Sequence, residues 1–224
     1  ILKKLKSAGC EEVVFAGIVK RPDFGNLKLD VKGVTLLPKV LSAAKKGDDA
    51  LLRVLVNEFE KQGFKVLGSH EVHRQLLAPE GVIAGQHPTE EEMHDIEHAA
   101  RVVSAAGALD IGQGAVVCNG LVLAVEAQEG TDAMLDRCAA LPEEIRGTTS
   151  GRKGVLVKRP KPGQELRIDL PTTGVSTVEK VAAAGLAGLA VEAGGALLLN
   201  RRKMIERAED LGIFIYGFEP EIGK

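Results

Sequence analysis

Three acidic side chains, Glu126, Glu129 and Asp132, close the segment DIGQGAVVCNGLVLAVEAQEGTD at residues 110–132. Residues 115–118 and 121–126 are apolar runs on either side of Asn119-Gly120, a dipeptide that takes the positive φ angles of a tight hairpin turn. The acids therefore cluster just past a strand end. Thr131 or Asp132 can cap a helix through Ala133, Met134 and Leu135, whose first-turn amides favour phosphate or carboxylate. Together these groups suit a hydrated divalent cation and an anionic ligand, whereas the plain alternative is that they only cap the helix and solvate its surface. Downstream, Arg167-Ile168-Asp169-Leu170-Pro171 puts a carboxylate in an apolar, strand-like run. An acid there needs a partner, and a metal ion would serve.

Other residues extend the set. Gly112-Gln113-Gly114 either lets backbone approach a phosphate or shapes the entry to a strand. Lys158, Arg159 and Lys161 form a basic run beside two prolines, read as a solvated loop or as an anchor for phosphate or anionic lipid. Arg167 alternates with Asp169 along one strand, so it either pairs with that acid or holds a phosphate. Glu192 lies inside an apolar stretch before Gly194-Gly195 and is a candidate for a sugar hydroxyl, metal or water contact. In the loop after the first strand, Lys20, Arg21 and Asp23 are weaker candidates. His94-Asp95-Ile96-Glu97-His98 matches the H-x-x-E-H pattern of inverted zinc peptidases. The polar face of a capped helix explains it more simply, because no acid elsewhere stands out as a third ligand.

The elements that must position these groups alternate between strand and helix, so the fold class is α/β. Residues 12–19 read as a buried strand, 36–44 and 50–62 as helices, the second capped by Asp48 and Asp49, and 65–68 as a strand. That order suits a parallel crossover and a Rossmann-like N-terminal domain, residues 1–84, truncated at its start. Residues 78–88 change to Pro, Gly, Gln and His and read as a linker. A mixed α/β catalytic domain, residues 85–224, follows. It begins with a helix capped by Thr89 and Glu92 in a capping box. The hairpin comes next, then strands at 154–158 and around Asp169 and a helix at 177–184. A second Gly-turned hairpin, 189–192 with 196–199, precedes a final helix and strand.

Composition excludes several functions. A net charge of −2, no Trp and 3% aromatic residues leave no basic or stacking surface for nucleic acid. Cys10, Cys118 and Cys138 are widely spaced in apolar contexts and read as buried thiols in a reducing cytoplasm. The most apolar stretch, 182–199, is broken by Glu192 and glycines, which argues against a membrane span. It can line an apolar cleft for lipid, although an ordinary core would look the same.

The segments RPDFGNLKLDVKG, LDIGQGAVV, GLVLAVEAQEGTDAML, GVLVKRPKPGQ, RIDLPTTG and LGIFIYGF resemble the LpxI family of UDP-2,3-diacylglucosamine pyrophosphatases, over nearly the whole chain. The resemblance implies magnesium-dependent hydrolysis of UDP-2,3-diacylglucosamine to lipid X and UMP in lipid A biosynthesis. The place of action it implies is the cytoplasm or the cytoplasmic face of the inner membrane, and a homo-oligomer is compatible with it. Members of the family open on a strand and a Gly-rich turn, whereas this chain opens on Ile1-Leu2-Lys3-Lys4-Leu5-Lys6, which reads as the later part of a helix. With no initiator Met, a fragment is expected. For such a reaction Asp169 is the first choice of Mg2+ ligand, and Glu126 and Glu129 supply a second ligand or orient water. Gln113, Gln128, Gly130, Thr131, Asp132, Lys158, Arg167 and Glu192 are the residues expected to position the substrate. This scheme requires Asp169 and the acidic bend after Glu126 to share one cavity. Without the resemblance, a zinc peptidase or a non-catalytic nucleotide-binding module remains the alternative.

Overall fold

The computed structural model describes residues 1–17, 31–45 and 47–223, the side chains of residues 31 and 32 excepted. Lys20, Arg21 and Asp23 lie outside the described residues. The fold is mixed α/β, and the chain divides into two compact units. One comprises Ile1–His73 with Glu165–Asp169, and the other Arg74–Gln164 with Leu170–Lys224.

The first unit contains α1 (Leu2–Ser7), β1 (Glu12–Val14), α2 (Val31–Ala44), α3 (Asp48–Lys61), β2 (Lys65–Leu67) and α4 (Ser69–Val72). β1 and β2 pair in parallel, with Val13 opposite Val66. A small aromatic core forms where Phe59 of α3 meets Phe15 and Phe64, beside buried Val56 and Val66. β1 is shorter than its apolar run suggests and its Val14 is exposed, so the expected burial of this strand is not met. Gly47, not Asp48 or Asp49, takes the N-cap of α3. The two aspartates instead occupy its first turn, where the helix dipole favours them.

In the second unit a 3-10 turn at Arg74–Leu76 leads to β3 (Gly81–Ala84), α5 (Glu90–Ala108), β4 (Gly114–Cys118), β5 (Leu121–Val125), α6 (Gly130–Ala139) and β6 (Val155–Lys158). β7 (Thr172–Thr173), α7 (Val175–Ala183), β8 (Gly188–Glu192), β9 (Leu197–Leu198), α8 (Arg201–Leu211) and β10 (Phe214–Phe218) complete it. Six strands form one sheet in the order β3-β10-β8-β6-β4-β5. β6, β8 and β10 are mutually parallel, and β5 joins their direction because β4 runs antiparallel to both of its neighbours. Ala115, Val117, Val155 and Val157 pack with Ile96, Ala99 and Val103 of α5, while Val116, Leu156 and Leu189 pack with residues of α6, α7 and α8. Strands covered on both faces must be apolar on both, which is why these runs do not alternate in polarity.

Two local expectations fail for one reason. Residues 81–84, read as linker, are the edge strand β3, antiparallel to β10. The second hairpin does not form either: β8 sits inside the large sheet, and β9 pairs in parallel with β7. In both cases a strand finds a partner remote in sequence, which no local turn dipeptide encodes. The apolar stretch weighed as a lipid cleft is mostly core, with Leu186, Leu189, Ala190 and Val191 buried. Cys118 and Cys138 are buried as expected, and burial pushes the Cys138 thiol up to about 11. Cys10 is exposed, correcting its expected burial.

The Asn119-Gly120 turn forms as expected, at φ 50° and 76°. The capping box also forms, with the Thr89 amide donating to Glu92 Oε2 at 2.7 Å and the Glu92 amide to Thr89 Oγ1 at 3.3 Å. One turn later Asp95, only 3% exposed, accepts the amides of Asn119 and Gly120 at 2.9 and 2.7 Å, which fixes α5 to the hairpin. Asp95→Ala strands both amides and should lower unfolding free energy by about 1–3 kcal/mol, seen as a lower denaturant midpoint with unchanged m-value.

Candidate functional site at the carboxyl ends of the parallel strands

β5, β6, β8 and β10 all end on the same edge of the second unit, where the chain also enters β4. Open sheets bind ligands outside such carboxyl ends. The side chains gathered there are polar although the strands leading to them are not. Lys158 ends β6 and is 6% exposed, and the adjacent Arg159 is 5% exposed. Glu126 follows β5, and Glu192 ends β8.

Gly114 is the centre of the arrangement. It lies opposite Lys158 in the β4–β6 register, and its carbonyl accepts the Glu126 amide at 2.8 Å. Lys158 Nζ donates to Thr131 Oγ1 at 2.6 Å, and Thr131 Oγ1 donates to Glu126 Oε1 at 2.8 Å. Glu126 Oε2 is buried and has no hydrogen-bond partner among the described residues. The glycines of the G-Q-G run make room for this acid. A Cβ on Gly112 would meet the Glu126 carbonyl oxygen at 2.0 Å, and one on Gly114 would meet Oε2 at 2.7 Å. Their close approach is to Glu126, a reading distinct from both the turn and the phosphate contact considered from sequence.

The other expected residues fall in different settings. α6 starts at Gly130 with Glu129 as N-cap and no side-chain cap, so Thr131 and Asp132 lie within its first turn and cap nothing. The Thr131 hydroxyl is committed to Glu126 instead. Glu129 bonds to Arg137 at 2.6 Å, and its own backbone amide, together with Arg137, holds its carboxyl below the usual carboxylate range. Gln128 and Asp132 are exposed, and the Gln113 carbonyl accepts the Arg159 amide at 3.1 Å.

The basic run is not a solvated loop. Arg159 pairs with Glu192 at 2.5 Å, donates to the carbonyls of Ile222 and Pro220 at 2.9 and 3.0 Å, and stacks over Phe218. Lys161 bonds to Asp110 at 2.5 Å. Glu192 thus has the partner a buried acid requires. The sequence held a signal for Arg159, a charge directly ending the apolar run GVLVK, but nothing local named its acceptors.

Asp169 belongs to the first unit, and its segment is a turn, which corrects the strand expected there. The amides of Ile168 and Asp169 both reach the Glu165 carbonyl at 3.2 Å. Arg167 therefore does not alternate with Asp169 along a strand. Its Nε and Nη2 each bond to Glu165 at 2.8 Å, and Nη1 bonds to Glu60 at 2.6 Å. A guanidinium fork matched to a carboxylate two residues away favours this curled backbone. Asp49 of α3 fastens the segment further by accepting the Glu165 amide at 2.7 Å.

His94 and His98 line an open groove of about 910 Å³ with Glu97, Arg101, Arg152 and Lys153. No group of three His, Cys, Asp or Glu residues suited to a metal gathers among the described residues. A closed zinc site needs more protein ligands than this pair offers. Magnesium takes one or two carboxylates and completes its shell with water and phosphate oxygens, a demand that the hard carboxylate of half-buried Asp169 fits in kind.

The Arg167 fork holds the Glu165 carboxyl well below its ordinary value of 4.5. A depressed folded value means that the contact stabilises fully above about pH 4.5 and is lost as pH falls through the lower folded value. Glu165→Gln should therefore lower the denaturant midpoint at neutral pH and flatten its decline below pH 4.5, followed by circular dichroism.

Comparison with known proteins matches residues 1–76 to the LpxI N-terminal domain and residues 79–216 to the LpxI C-terminal domain. The UDP-2,3-diacylglucosamine pyrophosphatase LpxI of Caulobacter vibrioides is 54% identical over 221 residues, covering 99% of this chain and 79% of that protein. No helix among the described residues is long and apolar enough to cross a membrane. Two domain matches in the family's order, joined to identity along nearly the whole length, place this chain in the LpxI family.

Proposed function

We propose that this chain hydrolyses the pyrophosphate bond of UDP-2,3-diacylglucosamine, giving 2,3-diacylglucosamine 1-phosphate (lipid X) and UMP in lipid A biosynthesis. The observation that carries the reading is the near full-length identity to the Caulobacter pyrophosphatase. The set of Glu126, Thr131 and Lys158 at the carboxyl edge of the sheet supports it chemically. The parallel pair β1–β2, with α2 and α3 between its strands in sequence, supports a Rossmann-like first domain. Action at the cytoplasmic face of the inner membrane, where a diacylated substrate resides, belongs to the same proposal.

Water adds to one phosphorus, the bond from that phosphorus to the bridging oxygen breaks, and two phosphate monoesters result. The residues must orient the water, take up its proton and offset the charge growing on the leaving phosphate. Glu126 suits the first two tasks, because one of its oxygens is held by Thr131 while the other has no donor among the described residues. Lys158 supplies positive charge beside it, and the first-turn amides after Gly130 favour an anion. Asp169 would be the first protein ligand of a magnesium ion, which when bound would supply positive charge against the charge developing in the reaction. Arg167 serves by fixing the turn that ends at Asp169, since all three of its guanidinium nitrogens bond to carboxylates. Gln113, Gln128, Glu129, Asp132 and Glu192 complete the proposed polar surround.

Purified protein should release UMP and lipid X from UDP-2,3-diacylglucosamine, lose that activity to a chelator and regain it with magnesium but not zinc. Asp169→Ala should cost about a hundredfold or more in kcat, the scale of removing one preorganised charge-stabilising group. No product from the wild-type protein, or a fully active and folded Asp169→Ala protein, would refute the proposal.

A further inference from the structure

The direction of the hydrogen-bond chain through Thr131 is fixed by chemistry. An ammonium has three protons and no lone pair to accept with, so in the 2.6 Å contact the hydroxyl oxygen of Thr131 accepts from Lys158. A hydroxyl has one proton, and a carboxylate can only accept it, so the 2.8 Å contact spends that proton on Glu126 Oε1. Nothing is left on Thr131 to donate to a ligand. Lys158 is 6% exposed, ends a strand covered on both faces and lies opposite Gly114, so its ammonium is held in place. Glu126 Oε2 sits where a Gly114 side chain would otherwise stand.

We propose that Thr131 is a positioning residue, acting through Glu126 and not on the substrate. It carries the polarisation of Lys158 to Oε1 and fixes the carboxylate so that Oε2 is the oxygen that accepts a proton from the attacking water. The proposal deepens the pyrophosphatase reading above and rests on it. A charge-assisted donor on Oε1 also locks the carboxylate against rotation, so the two oxygens cannot exchange roles. Gly114 belongs to the same device, because a methyl group there would push the flexible carboxylate end away while leaving the backbone alone.

Steady-state kinetics of the full chain test the idea. Thr131→Val keeps the shape and removes the hydroxyl, and should lower kcat about 10- to 100-fold with KM within about threefold, the scale of losing a residue that orients a functional ligand. Thr131→Ser should restore most of kcat. Gly114→Ala, with Thr131 intact, should reproduce the loss in kcat with the melting temperature little changed. A rise in KM at constant kcat for Thr131→Val would mean that Thr131 binds substrate directly, and wild-type kcat in either Thr131→Val or Gly114→Ala would overturn the proposal. If the wild-type protein itself releases no product, the functional reading fails separately. The relay is then decided by a double-mutant cycle of unfolding midpoints for Thr131→Val and Lys158→Met, where coupling supports it and additive shifts overturn it.

Discussion

β6 is covered on both faces, with Val155 and Val157 packed on the α5 side and Leu156 on the other, and it ends in a lysine that is itself buried. An ammonium in that position must meet oxygen within reach, because an unpaired buried charge is strongly destabilising. The antiparallel register with β4 sets Lys158 opposite a residue without a side chain, Gly114, and the next strand places Glu126 on the other side of that glycine. By strand alternation Lys158 shares its face with Leu156, the face on which α6 packs and from which Thr131 reaches both charges. The site is in this sense the polar termination of a dry sheet.

The same edge shows how a buried charge is made structural. Arg159 follows Lys158 directly, points to other partners and is used up by Glu192, two carbonyls near the end of the chain and the Phe218 ring. Glu192 ends β8 and the other three partners lie at or just after the end of β10, so one side chain ties the ends of β8 and β10 to that of β6. Two adjacent basic residues thus divide into one that holds the scaffold and one that faces the acid of the proposed chemistry. Arg167 does the scaffold task in the first unit, where Glu60 and Glu165 share its fork.

Local signals were reliable where the physics is local. The Thr89 capping box and the Asn119-Gly120 turn each involve groups within a few residues of one another, and both formed as read. The acids at 126, 129 and 132 were visible as a group, but their division was not. Glu129 is drawn off by Arg137 and Asp132 is exposed, while Glu126 is held by Thr131, five positions further on, which in turn accepts from Lys158. Thr131 was read as a cap because cap geometry is the nearest use for a threonine at a helix start. Its actual partners required the packing of α6 against the sheet. The apolar flanks of Asp169 resemble a strand, whereas the bidentate pairing of Glu165 with Arg167 decides the backbone there.

The sequence by itself determined the alternation of elements, the helix and hairpin boundaries that short-range hydrogen bonds set, the inventory of charged groups inside apolar runs, and the family to which the chain belongs. Only the tertiary structure decided which of those charges meet. Strand partners remote in sequence fix the sheet order, the order fixes which strand ends adjoin, and those ends determine which acid receives a donor and which oxygen goes without. Hydrogen-bond partnership in a buried site depends on angstrom-scale separation in space, and residues far apart along a chain carry no local record of it.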